Sequence, residues 1–228
     1  MEGDYKNNDK MMKWLFLLVV SSLAALLSCT TGENIETPEA VGEGLEAFSA
    51  AERKQANTAA SEPYLSSFEK EVFLYLNLVR LNPSLFAKTF VQGYEGAPGY
   101  AKGYAFDERK ASLLEQLKRM QPLEIIKPNK ELFDLAECFA TAHGKKGLVG
   151  HDRTGTGCER GYHAECCGYG KYDSGLYSIL ELLVDSGEGN EALGHRRILL
   201  GDYKYMGVAQ RNHTRYAKCT VLDFWAAQ

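Results

Sequence analysis

The sequence predicts an α+β domain in which helices come first and antiparallel strands close the chain. Apolar residues recur at helical spacing in several segments between residues 69 and 200. Two strand-like segments, Tyr205 to Gln210 and Tyr216 to Phe224, flank a polar stretch at a spacing that suits an antiparallel hairpin. Because strands do not alternate with helices along the chain, the order favours α+β over a parallel α/β fold.

The N-terminal segment is typical of an exported protein. Lys10 and Lys13 precede an apolar stretch from Trp14 to Leu27, which is shorter than the roughly 20 residues that a membrane-spanning helix needs. We therefore interpret residues 1–28 as a signal peptide that is removed after export. Ser28 directly before Cys29 resembles a bacterial lipobox, in which the cysteine becomes the lipidated first residue. The alternative is an ordinary cleaved signal with Cys29 as an incidental thiol.

A polar segment follows Cys29. Residues 30–62 are rich in Glu, Thr, Gly, Ala and Ser, and such a composition buries too little apolar surface to offset the entropy of ordering. We expect a flexible tether over residues 29–62, with room for a short helix around Leu45 to Lys54, and one folded domain over residues 63–228. The formal charge of −4, without a basic run, gives no support for a nucleic-acid partner.

Five helical segments are predicted in the folded domain before the hairpin. The first is largely apolar and breaks near Asn82-Pro83 before it restarts through Phe90. Asn129 and Ser174 are good N-caps for two of the others. In order, the segments cover residues 69–80 with the restart, 111–120, 129–144, 174–187 and 195–200. Residues 147–171 show no clear periodicity and are expected to be irregular.

Five cysteines remain after Cys29, and export permits disulfides. They are Cys138, Cys158, Cys166, Cys167 and Cys219. Their number is odd, so at least one stays free or pairs between chains, and the pairing cannot be read from the sequence. A bond between the adjacent Cys166 and Cys167 would be strained, so we expect longer-range partners for both. A metal site formed by Cys158, Cys166 and Cys167 near His151 and His163 is the alternative, but the paired Cys-x-x-Cys spacing is lacking.

Several enzyme signatures are absent from the sequence. It has no nucleophile elbow, phosphate loop, dinucleotide fingerprint or His-Glu-x-x-His helix. What remains is a set of four polar segments in the irregular middle and around the late helices: Gly150-His151-Asp152-Arg153, Ala164-Glu165-Cys166-Cys167, Leu183-Val184-Asp185-Ser186 and Gly194-His195-Arg196-Arg197.

These four segments, in this order, resemble the CAP superfamily of cysteine-rich secretory, antigen 5 and pathogenesis-related proteins. Members carry a His, an acid in a Gly-Glu-Asn segment, an acid at a helix end, and Gly-His, which here correspond to His151, Glu165, Asp185 and His195. Residues 76–83, 194–200 and 205–209 look like the bacterial branch. The sequence departs from the pattern at Ala164-Glu165-Cys166 and at Asp185, where many relatives have Glu.

The resemblance implies an α/β/α sandwich, with a central antiparallel sheet between helical layers and a shallow cleft that holds both imidazoles and both carboxylates. His151 and His195 would then be able to bind zinc, with the carboxylates orienting the rings. The expected role is binding of a ligand, lipid or partner at the bacterial cell envelope, with the membrane reached through the lipid on Cys29. A peptidase-like hydrolase using the same four residues and a structural envelope module remain the alternatives, so enzymatic activity is left open.

Each site residue also has a structural interpretation. His151 and His195 lie beside glycines and could fix loops through backbone hydrogen bonds. The two acids could cap helices or pair with arginines, among them Arg153, Arg160, Arg196 and Arg197. His143 lies on an apolar helix face and is expected in the core, whereas His163 and His213 are expected in loops or at the surface.

Overall fold

The computed structural model describes residues 44–98, 102–187 and 192–226. The predicted signal peptide and Cys29 lie outside the described residues. The helices are α1 (Ala50–Ala56), α2 (Ser67–Leu81), α3 (Pro83–Phe86, followed by a π-helical turn Ala87–Val91), α4 (Phe106–Arg119), α5 (Lys130–Lys146), α6 (Gly175–Val184) and α7 (Gly194–Leu199). The strands are β1 (Lys127–Pro128), β2 (Ala164–Tyr169), β3 (Tyr205–His213) and β4 (Ala217–Trp225). Within these ranges, no helix has the length and apolar character needed to cross a membrane.

Local capping chemistry sets the helix boundaries. Ser66 and Glu69 form a capping box that begins α2. Asn82 ends α2, and its side chain accepts a hydrogen bond from Leu85 N–H, so α3 begins at once. The predicted caps Asn129 and Ser174 are confirmed for α5 and α6. The largest error in a predicted start is at α4, which was expected from residue 111 but begins at Phe106. Its first turn is largely charged, and this hides the apolar period.

The sheet has the order β1-β3-β4-β2. The predicted hairpin is confirmed, since β3 pairs antiparallel with β4, and β2 pairs antiparallel with the other edge of β4. The α+β class is therefore confirmed, but the expectation of a purely antiparallel sheet is wrong because β1 pairs parallel with β3. The chain leaves β1 directly into α5, and this helical crossover allows the later β3 to run in the same direction.

The strand β2 lies in the segment that we expected to be irregular. Its sequence, Ala-Glu-Cys-Cys-Gly-Tyr, is buried at three consecutive positions, so it lacks the alternation that identifies a half-exposed strand. Its register against β4 places Glu165 opposite Asp223 and Cys167 opposite Val221. Because side chains alternate along a strand, Glu165, Cys167 and Tyr169 share one face, and Cys166 lies on the other.

Helices contact both the hairpin and the edge strand β2. The helix α5 lies directly on β3, since a side chain at Gly207 would come within 2.1 Å of the Leu132 backbone and one at Gly144 within 2.0 Å of Asn212 O. The helices α6 and α7 contact β2, and α2 contacts both α6 and β3. The buried apolar residues of these elements form one core cluster.

The folded unit begins earlier than predicted. Phe48, Ala56 and Ala59 are buried in the core cluster. The Asn77 side chain donates to Ala56 O at 3.0 Å and accepts from Ile126 N–H at 2.7 Å, which ties α1 to the centre of α2. The expected tether over residues 29–62 is therefore wrong for residues 44–62. Their polar composition concealed a few small or aromatic residues that are buried in the core.

A single disulfide is present among the described cysteines, between Cys138 and Cys158. It ties the irregular segment after α5 back to that helix, which is the bracing role expected for this region. Cys166, Cys167 and Cys219 are free and buried. The expectation of longer-range disulfide partners for Cys166 and Cys167 is wrong, because both lie within a central part of β2 where they serve as small core residues.

Candidate functional site

Two of the four predicted residues, Asp185 and His195, form a pair between the end of α6 and the start of α7. Asp185 closes α6 in the left-handed conformation, with φ of 58°. Its buried carboxylate accepts the His195 backbone N–H at 3.0 Å and lies 2.8 Å from His195 Nδ1. A neutral ring in this arrangement carries its proton on Nδ1, so the lone pair of Nε2 is available to a proton, a metal or a ligand.

Two buried arginines hold this end of α6 in place. Arg109 donates hydrogen bonds to Asp185 O and Gly187 O. Arg196 donates to Leu183 O at 2.6 Å and to Val184 O at 3.1 Å, and burial lowers its pKa to about 10. These bonds satisfy the last carbonyl groups of the helix, which have no partner within it. The turn that presents Asp185 to His195 is thus fixed from behind.

The other two predicted residues, His151 and Glu165, form a second pair between a loop and β2. Glu165 Oε1 lies 2.9 Å from His151 Nδ1. The Glu165 side chain is only 3% exposed, whereas that of His151 is 53% exposed. The thiol of Cys167 lies 3.6 Å from the same ring nitrogen. The expected helix-capping role of Glu165 is wrong, because the residue lies within a strand and its partners are side chains.

A buried arginine connects Glu165 to a second acid. Arg153 Nη2 bonds Glu165 Oε2 and lies 2.9 Å from Asp223 Oδ2. Its guanidinium stacks between two rings, 4.2 Å from the centroid of Phe139 and 4.6 Å from that of Tyr162. The expectation that Glu165 could pair with an arginine is therefore confirmed, and the same arginine also pairs with Asp223.

The two carboxyl groups on Arg153 have pKa values that move in opposite directions. Burial raises the pKa of Asp223 to about 8, and the charge of Glu165 adds to the effect while Arg153 opposes it. Burial also acts to raise the pKa of Glu165, but hydrogen bonds from His151 and Arg153 outweigh it and hold that pKa below its usual value. Two acids that share one cation behave in this way, because only one of them ionises readily.

A small cleft of about 110 Å³ lies against His195 and Asp185. Its lining includes Cys167 and Gly168 of β2 together with Glu181 of α6. Glu181 lies one helical turn before Asp185, accepts a hydrogen bond from the Tyr94 hydroxyl, and has a pKa that burial raises. Cys167 thus borders the cleft of one pair while its thiol approaches the histidine of the other.

A larger cleft of about 550 Å³ lies elsewhere, beside the β1 end of the sheet. It is lined by Glu124 and Lys204, which form an ion pair, and by the half-exposed Tyr205. It contains neither predicted histidine–acid pair. Because both histidine–acid pairs lie outside this larger cleft, the candidate site is the smaller cleft with the neighbouring His151 loop.

The described residues contain one group of three or more His, Cys, Asp or Glu side chains with ligand atoms within 4.8 Å of one another. That group is His151, Glu165 and Cys167, and His195 is not part of it. An imidazole nitrogen, a carboxylate oxygen and a sulfur together form a donor set that can hold a metal ion. The sequence identified His151 and Glu165, but the predicted metal pair of His151 and His195 is not brought into one such group.

Asp223 was missed from the sequence, whereas Cys167 and Arg153 were considered only among several candidate ligands and partners. Cys167 follows Glu165 by two residues, so recognising β2 as a strand would have placed both on one face. Asp223 had no local signal, because the register of β2 against β4 is not readable from either strand alone.

The other histidines have structural roles. His143 is buried, its ring lies 3.9 Å from that of Phe139, and burial lowers its pKa, which confirms the expected core histidine. His163 is exposed, as expected, and accepts a hydrogen bond from Ala226 N–H. The expectation for His213 is wrong, because it is only 4% exposed and its ring nitrogens bond Leu148 O and the Arg215 N–H at the hairpin turn.

Comparison with known proteins does not add to this picture. No protein-family model matches the chain, and a search of curated proteins finds no match. The resemblance to the CAP superfamily therefore depends on the motifs themselves.

Proposed function

We propose that this chain is an extracytoplasmic, lipid-anchored binding module of the CAP type. It holds a ligand, a lipid or an envelope partner through the cleft beside His195 and the adjoining His151 loop. The observation that supports the proposal most directly is the paired arrangement of the site. Each predicted histidine has its Nδ1 against a buried carboxylate, at 2.9 Å for His151 and 2.8 Å for His195.

The layer arrangement is compatible with a CAP-type sandwich. Gly207, Asp223 and Glu165 are cross-strand neighbours and share one face of the sheet, which α5 covers at Gly207. Cys166 lies on the opposite face, and α6 and α7 contact the strand that carries it. Helices on both faces of a four-stranded sheet are what the resemblance implies.

Zinc at His151 and His195 is part of this proposal, and the chemistry of the donors supports it in part. Both rings can present an unprotonated Nε2, which is the form that zinc binds. The two histidines do not share a three-ligand group in the described part of the chain, so water would have to complete their coordination. A zinc ion bound there would supply a Lewis acid to the cleft, while Glu165 and Asp185 hold the rings in orientation.

Titration calorimetry with zinc tests this site. The protein from Thr30 to Gln228 is compared with the His151→Ala/His195→Ala double variant, and His163→Ala serves as the matched control because it removes an exposed histidine that belongs to neither pair. We expect about one zinc per chain for the parent protein and the control, and none for the double variant. Equal binding by all three, or binding by none, would count against zinc at these histidines.

The lipid anchor is tested separately. In a bacterial host, replacing Cys29 by alanine should move the protein from the membrane to the soluble extracytoplasmic fraction. Mass spectrometry of the membrane-extracted parent protein should then find the lipid on the peptide that begins with Cys29. An unlipidated parent protein in the soluble fraction would contradict the anchor but leave the binding role of the cleft intact.

Hydrolysis by the same site is the second candidate, and Glu181 is the observation that favours it. A carboxyl group with a raised pKa beside an imidazole with a free Nε2 provides a general acid and a general base in one cleft. If the protein is a hydrolase, His195→Ala should abolish turnover of a peptide or ester substrate without unfolding. A binding module loses only ligand retention on this change, and a structural module tolerates it in both respects.

A further inference from the structure

The strand β2 uses alternate residues to position the His151 loop. Glu165 and Cys167 approach His151 Nδ1 at 2.9 Å and 3.6 Å. Tyr169, the next residue on the same face, accepts the Gly150 N–H at 2.9 Å and donates to Gly150 O at 3.2 Å. Three consecutive same-face residues of one strand thus hold two consecutive loop residues, and the side chains that converge on His151 are a carboxylate and a thiol.

The distances match those between ligands of a tetrahedral metal centre. With Zn–N near 2.0 Å and Zn–S near 2.3 Å, neighbouring ligands lie about 3.5 Å apart for N and S and about 3.3 Å apart for N and O. The corresponding separations here are 3.6 Å and 2.9 Å. A cation between the three atoms would replace the His151–Glu165 hydrogen bond and would require the pair to open by only a few tenths of an ångström.

The surroundings leave the required atoms available. Arg153 occupies Glu165 Oε2, so Oε1 is the oxygen that faces the ring. The side chain of His151 is 53% exposed, which provides a route for a cation and a place for water as a fourth ligand. Cys167 and Glu165 are buried, which shields the rest of the site from solvent.

From this geometry we infer that His151 Nδ1, Glu165 Oε1 and the Cys167 thiolate form a binding site for a borderline-soft divalent cation of the zinc class. The thiol gives up its proton to solvent as the metal–sulfur bond forms, so no oxidant or reductant is needed. The inference rests on the proposed function for the role of His151, but it assigns Cys167 as a ligand in place of His195 and uses the other nitrogen of the His151 ring.

Cobalt provides a direct probe of this ligand set, because a thiolate bound to Co²⁺ gives a near-ultraviolet charge-transfer band that imidazole and carboxylate do not give. The full chain is stripped of metal under anaerobic conditions, which keep the free thiols reduced and the Cys138–Cys158 disulfide closed, and is titrated first with Co²⁺ and then with competing Zn²⁺. The variants are Cys167→Ser, its matched control Cys166→Ser, and His195→Ala. Cys166 is the matched control because it is the adjacent buried free cysteine on the other face of β2.

We expect the parent protein, Cys166→Ser and His195→Ala to show the thiolate band. Cys167→Ser should lack it and bind Co²⁺ at least about 100-fold more weakly, since loss of a direct ligand exceeds the 10- to 100-fold cost of losing an outer-shell partner. A parent protein without the band, or a band that persists in Cys167→Ser, would overturn the inference. If His195→Ala abolishes binding and Cys167→Ser does not, the two-histidine site is correct and this one is wrong.

A second variant keeps the inference testable if Cys167→Ser does not fold. His151→Ala alters a half-exposed loop side chain, so the core of β2 is left unchanged. Circular dichroism confirms that each variant is folded before titration. His151→Ala should weaken Co²⁺ binding to a similar degree, and retention of parent-like affinity and spectrum in this variant would also overturn the inference.

Discussion

Asp223→Asn should make the stability of the protein less dependent on pH. Asp223 is fully buried, and its pKa is raised from 3.8 to about 8, chiefly by burial. Between these two values the folded state retains a proton that the unfolded state has lost, so the free energy of unfolding falls as pH rises. Below the unfolded pKa both states are protonated, and the penalty vanishes.

The size of the effect follows from the pH interval. One pKa unit corresponds to about 1.4 kcal/mol, so raising the pH from 5 to 8 should cost the parent protein on the order of 2–4 kcal/mol through this group. Glu165 does not oppose the change in this interval, because a lowered carboxyl pKa affects stability only at lower pH. His143 does titrate here, but it does so equally in both proteins, and the difference between them isolates Asp223.

The assay is urea unfolding of metal-free protein at several pH values from 5 to 8, with Asp107→Asn as the control because Asp107 is 79% exposed. The amide is a close substitute for the protonated carboxyl, so Asp223→Asn should be tolerated near pH 6. As pH rises, the free energy of unfolding of the variant should increase relative to that of the parent protein. If Asp223 is instead ionised beside Arg153, the variant would lose about 3–5 kcal/mol at pH 6, as for a broken buried ion pair, and our reasoning would be refuted.

Three further predictions concern the fold. Gly207→Ala should lower stability by about 3 kcal/mol or more in thermal unfolding, since its Cβ would come within 2.1 Å of the Leu132 backbone and α5 would have to move; an unchanged Tm would contradict that packing. Replacing both Cys138 and Cys158 by serine opens a link that spans 20 residues and should cost about 3 kcal/mol in urea unfolding; a cost near zero would argue that the link does not form. Phe48→Ala should lower the free energy of unfolding by about 3–5 kcal/mol in the same assay. A decrease below about 0.5 kcal/mol would indicate that residue 48 belongs to the flexible tether and not to the core.

Sequence reasoning succeeded where the cause of a structure is local. The caps at Asn129 and Ser174 depend on side chains that bond backbone groups within three residues, so the sequence contains the whole interaction. The hairpin of β3 and β4 is similarly local. By contrast, β2 is a short edge strand whose buried run carries no period, and its identity depends on pairing with a segment some fifty residues away.

The candidate site shows the same contrast between local and long-range causes. The four predicted residues form two pairs, and the short-range pair, Asp185 with His195, is set by a single turn between two helices. Asp223 could not be found, because its role arises from the alignment of β2 with β4. The predicted roles of His151, Glu165, Asp185 and His195 in binding or catalysis, and of Cys29 in lipidation, remain predictions that the experiments above address.

The alternating positions of β2 have a consequence for how this site can change in evolution. Insertion or deletion of one residue before Glu165 within the strand would carry every side chain to the opposite face of the sheet. Glu165, Cys167 and Tyr169 would then leave the His151 loop together, so the site cannot be lost one ligand at a time by that route. Descendant sequences should therefore either keep Glu165, Cys167 and Tyr169 at this spacing or have other residues at all three positions.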